Sequence, residues 1–119
     1  MHPDHVGGLL TDEGEREYRN ARIMISKQGL AYWTNLANGP SSPPSTLDSF
    51  DIASRIVSIY AGSVETFSGA ADIVPGIRAE PLHGHTPGHA GYAIGQERAK
   101  LLKWGIWPMR RNCSLSSRG

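Results

Sequence analysis

All five histidines of this 119-residue chain fall in two short segments. His2 and His5 belong to His2-Pro3-Asp4-His5-Val6-Gly7-Gly8, and the other three to His83-Gly84-His85-Thr86-Pro87-Gly88-His89. Both segments are punctuated by Pro and Gly. Proline lacks an N–H and glycine admits positive φ, so both read as turns. Imidazole nitrogen and carboxylate oxygen are the donors that a borderline cation such as zinc takes. His2, Asp4 and His5 lie within four residues and converge only in a tight turn. The plainer alternatives are a frayed His-rich end and a surface turn whose histidines bond the backbone.

Composition narrows the function classes. Lys plus Arg is 12 and Asp plus Glu is 11, a net charge of +1, which argues against a nucleic-acid binder. Residues 1–100 carry net −3 and residues 101–119 carry net +4, with Arg110-Arg111 too few to make a binding patch. No stretch approaches the roughly 20 apolar residues that span a bilayer, so no membrane partner is expected. The first residues have neither a basic nor an apolar region of the secretory kind. Cys113 is a lone cysteine in a patternless stretch and no nucleophile. With no internal disulfide to form, a cytoplasmic location is expected.

The order of elements points to a mixed α/β (α+β) layered domain. Residues 1–10 read as a motif running into a turn or helix start, and Thr11 to Asn20 as a solvated loop carrying the acids Asp12, Glu13, Glu15 and Glu17. Ala21 to Ile25 reads as a strand. Ser26 is placed to cap a helix from Lys27 to about Leu36. Asn38 to Thr46 is rich in Pro and Ser and reads as irregular. Leu47 to Tyr60 is the clearest helix. Phe50, Ile52, Ala53, Ile56, Val57 and Tyr60 recur at spacings near 3.6, Asp48 and Asp51 suit its first turns, Ser45 or Thr46 caps it, and Ala61-Gly62 ends it. Strands follow at Val64 to Phe67, Ile77 to Leu82, Gly91 to Ile94 and Leu101 to Trp104, with turns at Pro75-Gly76 and at 95–100. Residues 105–119 have no period and are expected to be a disordered tail. Trp33, Tyr32 and Phe50 read as core, and Tyr92 as either packing or pocket lining.

Taken together, His2-Pro3-Asp4-His5-Val6-Gly7-Gly8 and Gly84-His85-Thr86-Pro87-Gly88-His89 resemble two signatures of the metallo-β-lactamase-fold hydrolases, over roughly residues 1–104. The resemblance implies part of an αββα sandwich with one or two zinc ions at the sheet edges. It implies that a metal-held hydroxide attacks a carbonyl of a small lactone, thioester or lactam-type substrate, lactones first. By that resemblance His2 and His89 bind the first metal. Asp4 and His5 bind the second, and Asp4 also handles the proton. His83 and His85 match no metal-ligand position, and His85 is expected to support the turn or line the pocket.

The family motif's opening His would precede Met1, and no Asp, Glu or His occurs from residue 98 onward. The expectation is therefore a fragment, with a partial domain at 1–104 and a tail at 105–119. Its exposed sheet would favour self-association. A non-catalytic fragment, or a weak metal-binding or interaction module, is the alternative to an enzyme.

Overall fold

The apolar stripe Phe50, Ala53, Ile56 and Tyr60 becomes the buried face of the longest helix, α3 (Leu47–Ile59). In this computed structural model residues 1–95 and 101–103 are described. Ahead of α3 come α1 (Pro3–Val6), the strand β1 (Ile23–Ser26) and α2 (Lys27–Thr34). Behind it come β2 (Val64–Phe67), β3 (Ala71–Val74), β4 (Ile77–Pro81), β5 (Ala90–Ile94) and β6 (Leu101–Lys103). The mixed α/β class read from the sequence is the observed one.

β1 and β2 pair in parallel, with Ile23 opposite Val64 and Ser26 opposite Phe67. Parallel neighbours need a long crossover, and α2 and α3 supply it. The two helices pack on each other, and α2 also touches both strands of its sheet. Their contact is aromatic: Trp33 and Phe50 are buried with ring centroids 4.9 Å apart, and Tyr32 lies 5.5 Å from Phe50. Trp33 and Phe50 are core, as expected, and Tyr32 packs half-buried against them. The second sheet is antiparallel in the order β3-β4-β5-β6. Gly76, at φ +82, makes the turn between β3 and β4 that Pro75-Gly76 announces.

Three expectations need correction. The stretch from Asn38 to Thr46 is not irregular, because 3-10 turns form at Leu36–Ser41 and Pro44–Thr46. The Asn35 carboxamide starts the first by accepting from the Ala37 N–H, and Pro43-Pro44 preset φ for the second. Thr46 precedes α3 but does not cap it through its side chain. Its hydroxyl donates instead to the Pro43 carbonyl at 2.7 Å.

The Thr11–Asn20 loop keeps its acids exposed, yet it is anchored. The Tyr60 hydroxyl donates to the Leu9 carbonyl at 2.8 Å and accepts from the Tyr18 N–H at 3.2 Å. The Arg16 guanidinium lies over the Tyr60 ring, 5.0 Å from its centre. It donates to the Ile59 carbonyl, which the end of α3 leaves unpaired within the helix, and to the Ala61 carbonyl just beyond it. The segment that carries His2 and His5 is thus strapped to α3.

Helix α2 begins as the sequence suggests, with the Ser26 hydroxyl accepting from the Gly29 N–H at 3.0 Å, and it ends two residues early at Thr34. The expected tail at 105–119, Trp104 and most of the turn at 95–100 lie outside the described residues. Among the described residues no helix is long and apolar enough to cross a membrane.

Candidate metal centre

Pro3 at the first position of α1 presets the helical φ, and the helix lasts four residues before Gly7. One turn of helix stacks residues three and four apart, so His2, just before it, and His5, within it, lie near each other. Their ring centroids are 6.2 Å apart. The Asp4 carboxylate is 3.4 Å from His5 Nε2. One donor atom from each of His2, Asp4 and His5 lies within 4.8 Å of the other two. Two donors at a tetrahedral angle on one zinc, at bonds of about 2.1 Å, stand about 3.4 Å apart, so side-chain movement of about an ångström would bring the three onto one ion.

The second histidine segment is a loop between β4 and β5. It is closed by bonds from the Leu82 N–H to the His89 carbonyl (2.9 Å) and from the His89 N–H to the Thr86 carbonyl (3.1 Å). Gly84 and Gly88 take φ +113 and +72. The loop brings His85 to His2, with ring centroids 5.5 Å apart and nearly perpendicular. His85 in turn lies 5.3 Å from His89. Trp33 closes the other side of His2 at 5.7 Å. The two turns thus meet, and four histidines and Asp4 form one cluster, with His2 at its centre.

Burial and neighbouring positive groups hold His2 and His89 below the usual imidazole range. For both histidines burial is the largest cause. Among the other causes, His85 acts on both, and Asp4 pulls the opposite way at His2. Their neutral forms, which carry the lone pair a metal needs, are favoured. His89 Nε2 is buried with no hydrogen-bond partner among the described residues. Buried polar atoms are rarely left unpaired, and such an orphan beside a cluster of donors suits a ligand. Burial pushes the Tyr92 hydroxyl up.

The cluster opens on a cleft of about 470 Å³. Its polar side is His2, His5, His85 and His89, and its apolar wall includes Ile23, Ile25 and Phe67 from the parallel sheet, with Tyr92 beside them. His83 is exposed and lines a smaller cavity on the far side of the turn.

Sequence reasoning treats His85 as turn support. In the structure its ring lies between His2 and His89, and it is the turn histidine nearest the first cluster. Its position four residues before His89, across Thr86-Pro87-Gly88, was the available signal. Trp33 was read as core and is core, but it also touches His2.

A model of the metallo-β-lactamase superfamily matches residues 1–102. The chain belongs to the metallo-β-lactamase superfamily. The fold agrees with a solved structure of AidC, described as a dizinc quorum-quenching lactonase in complex with a product, N-hexanoyl-L-homoserine. That likeness has a TM-score of 0.69 at 22% identity and covers 85% of this chain. The chain spans 37% of the length of that protein. No curated protein matches the chain. Membership gives this chain a metallo-hydrolase-like fold.

Proposed function

We propose that this chain carries the metal-binding core of a zinc-dependent hydrolase acting on a small carbonyl substrate, with a lactone as the favoured class. The observation that carries this reading is the meeting of the two histidine turns, with the His85 ring centroid 5.5 Å from that of His2, beside the donors of His2, Asp4 and His5 within 4.8 Å of one another. The donor set fits zinc, which takes imidazole and carboxylate together. The spacing of their donors would let His2, Asp4 and His5 hold one ion, in place of the division between two metals that the resemblance implies. His85, beside His2, and His89, with its unpaired nitrogen, are the donors that the second turn adds. When bound, zinc supplies the Lewis acidity that activates water and polarises a carbonyl.

The chain's own residues account for the rest. Asp4 is exposed, 3.4 Å from His5 Nε2, and in this reading its carboxylate takes a proton from an attacking water. The lowered affinity of His2 and His89 for protons leaves them free to bind metal near neutral pH. The volume of the cleft lies in the range of small-molecule sites. Its wall of Ile23, Ile25 and Phe67 suits an acyl chain, the kind of group present in the product bound by the lactonase neighbour. A reducing cytoplasm suits a chain with one cysteine.

A second reading is a metal-binding module without turnover. It is favoured by the exposure of Asp4 and His5 on a single-turn helix. Zinc analysis together with hydrolysis of an N-acyl homoserine lactone tests both readings. Bound zinc with turnover that a chelator abolishes supports the hydrolase. Bound zinc without turnover supports the module. Protein that takes up no zinc overturns both.

A further inference from the structure

The two histidine turns are held in register by helix α2, and one hydroxyl makes the joint. Ser26 ends β1 and caps α2, and its Oγ accepts from the Gly29 N–H at 3.0 Å. The same hydroxyl donates its only proton to the Gly88 carbonyl at 2.6 Å, 62 residues away. Gly88 directly precedes His89 and lies three residues after His85. The approach is close enough to exclude any side chain. A Cβ on Gly88 would overlap the Gly29 nitrogen and the Ser26 hydroxyl, and a Cβ on Gly29 would lie 2.7 Å from that hydroxyl. One turn further along α2, Trp33 is buried and its ring meets His2 edge-on. A single eight-residue helix therefore touches the second turn at its first residues and the first turn at Trp33.

We propose that Ser26 is a positioning residue of the metal site, whose hydroxyl fixes the His85–His89 turn against α2 and so sets its distance from His2. This rests on the zinc reading above. A generic N-cap needs only an acceptor for the helix N–H groups. Ser26 uses its donor as well, and spends it on the turn that carries the histidines. Groups that orient metal ligands from outside the coordination shell typically change metal affinity 10- to 100-fold when removed.

The test compares Ser26→Ala, which removes both bonds, with Ser26→Thr, which keeps the hydroxyl and the capping preference. Two quantities are read: zinc affinity by competition with a chromophoric chelator, and the imidazole NMR signals of His85 and His89 in metal-free protein. Ser26→Ala is expected to weaken zinc binding at least 10-fold and to move the His85 and His89 signals. Ser26→Thr is expected to restore both. If Ser26→Ala does not fold, Ser26→Gly replaces it, since glycine is itself a favoured cap and has no hydroxyl. A hydroxyl-free variant that binds zinc within 2-fold of the parent, or a Thr variant as impaired as Ala, overturns the proposal. The NMR arm separates the two claims. If the parent chain binds no zinc, the metal reading fails, while the clamp still stands or falls on the shifts of the metal-free histidines.

Discussion

Gly88 and Gly84 sit in the same loop and both adopt positive φ, yet they differ in what surrounds them. Nothing lies within 4 Å of a Cβ built on Gly84, whereas one on Gly88 runs into the backbone of Gly29. Gly84→Ala should therefore cost about 1 kcal/mol, from the φ preference alone. Gly88→Ala should cost upwards of 2 kcal/mol, because the turn must also move off α2. Urea denaturation of the two variants checks the difference. The histidines make a second prediction. With folded-state values below the ordinary value of about 6.5, His2 and His89 favour the neutral form in the fold. Their contribution to stability is present above that pH. It is lost as pH falls through 6.5 towards their lowered values, because the unfolded chain takes up protons first. The metal-free chain should thus be less stable at pH 5 than at pH 7.5, measured by the urea midpoint. Replacing His2 and His89 by Gln should flatten the profile.

The strap over α3 holds the first histidine turn. Tyr60→Phe removes the bonds to the Leu9 carbonyl and the Tyr18 N–H, and keeps the buried ring. It should cost about 1–2 kcal/mol. It should also speed amide exchange across residues 9–18 more than in α3, which hydrogen-exchange mass spectrometry resolves. Ile56 is fully buried on the same helix, and Ile56→Ala should cost about 2–5 kcal/mol. Much of this was legible in the chain. The 3.6-residue stripe from Phe50 to Tyr60 announced α3. Ser26 announced the start of α2, and Pro75-Gly76 the hairpin. Less was legible where distant partners decide the local structure. Arg16 sits in a run of acids that reads as solvated, and only Tyr60 and the end of α3, some 43 residues on, turn that run into a strap. Pro43 captures the Thr46 hydroxyl, so a good capping residue does not cap. His85 reads as turn chemistry until the loop is folded back against His2.

The molecule brings His2 and His85, 83 positions apart, together. α1 and the β4–β5 loop meet because β1 and β2 are parallel neighbours joined through α2 and α3, and because α2 contacts both turns. Superfamily membership follows from residues 1–102, and the histidine cluster is the feature on which the proposed chemistry depends. β1 and β2 form a sheet of only two strands among the described residues. Each strand therefore presents an edge where a second copy could pair, and light scattering across a concentration series would register that self-association. The central claim is that the two turns form one metal site. Its most direct test is zinc titration by isothermal calorimetry of the parent chain, His2→Ala and His85→Ala, one variant from each turn. The account predicts that the parent binds zinc and that each substitution lowers affinity at least 10-fold. Equal affinity in all three proteins, or loss on His2→Ala alone, would contradict it.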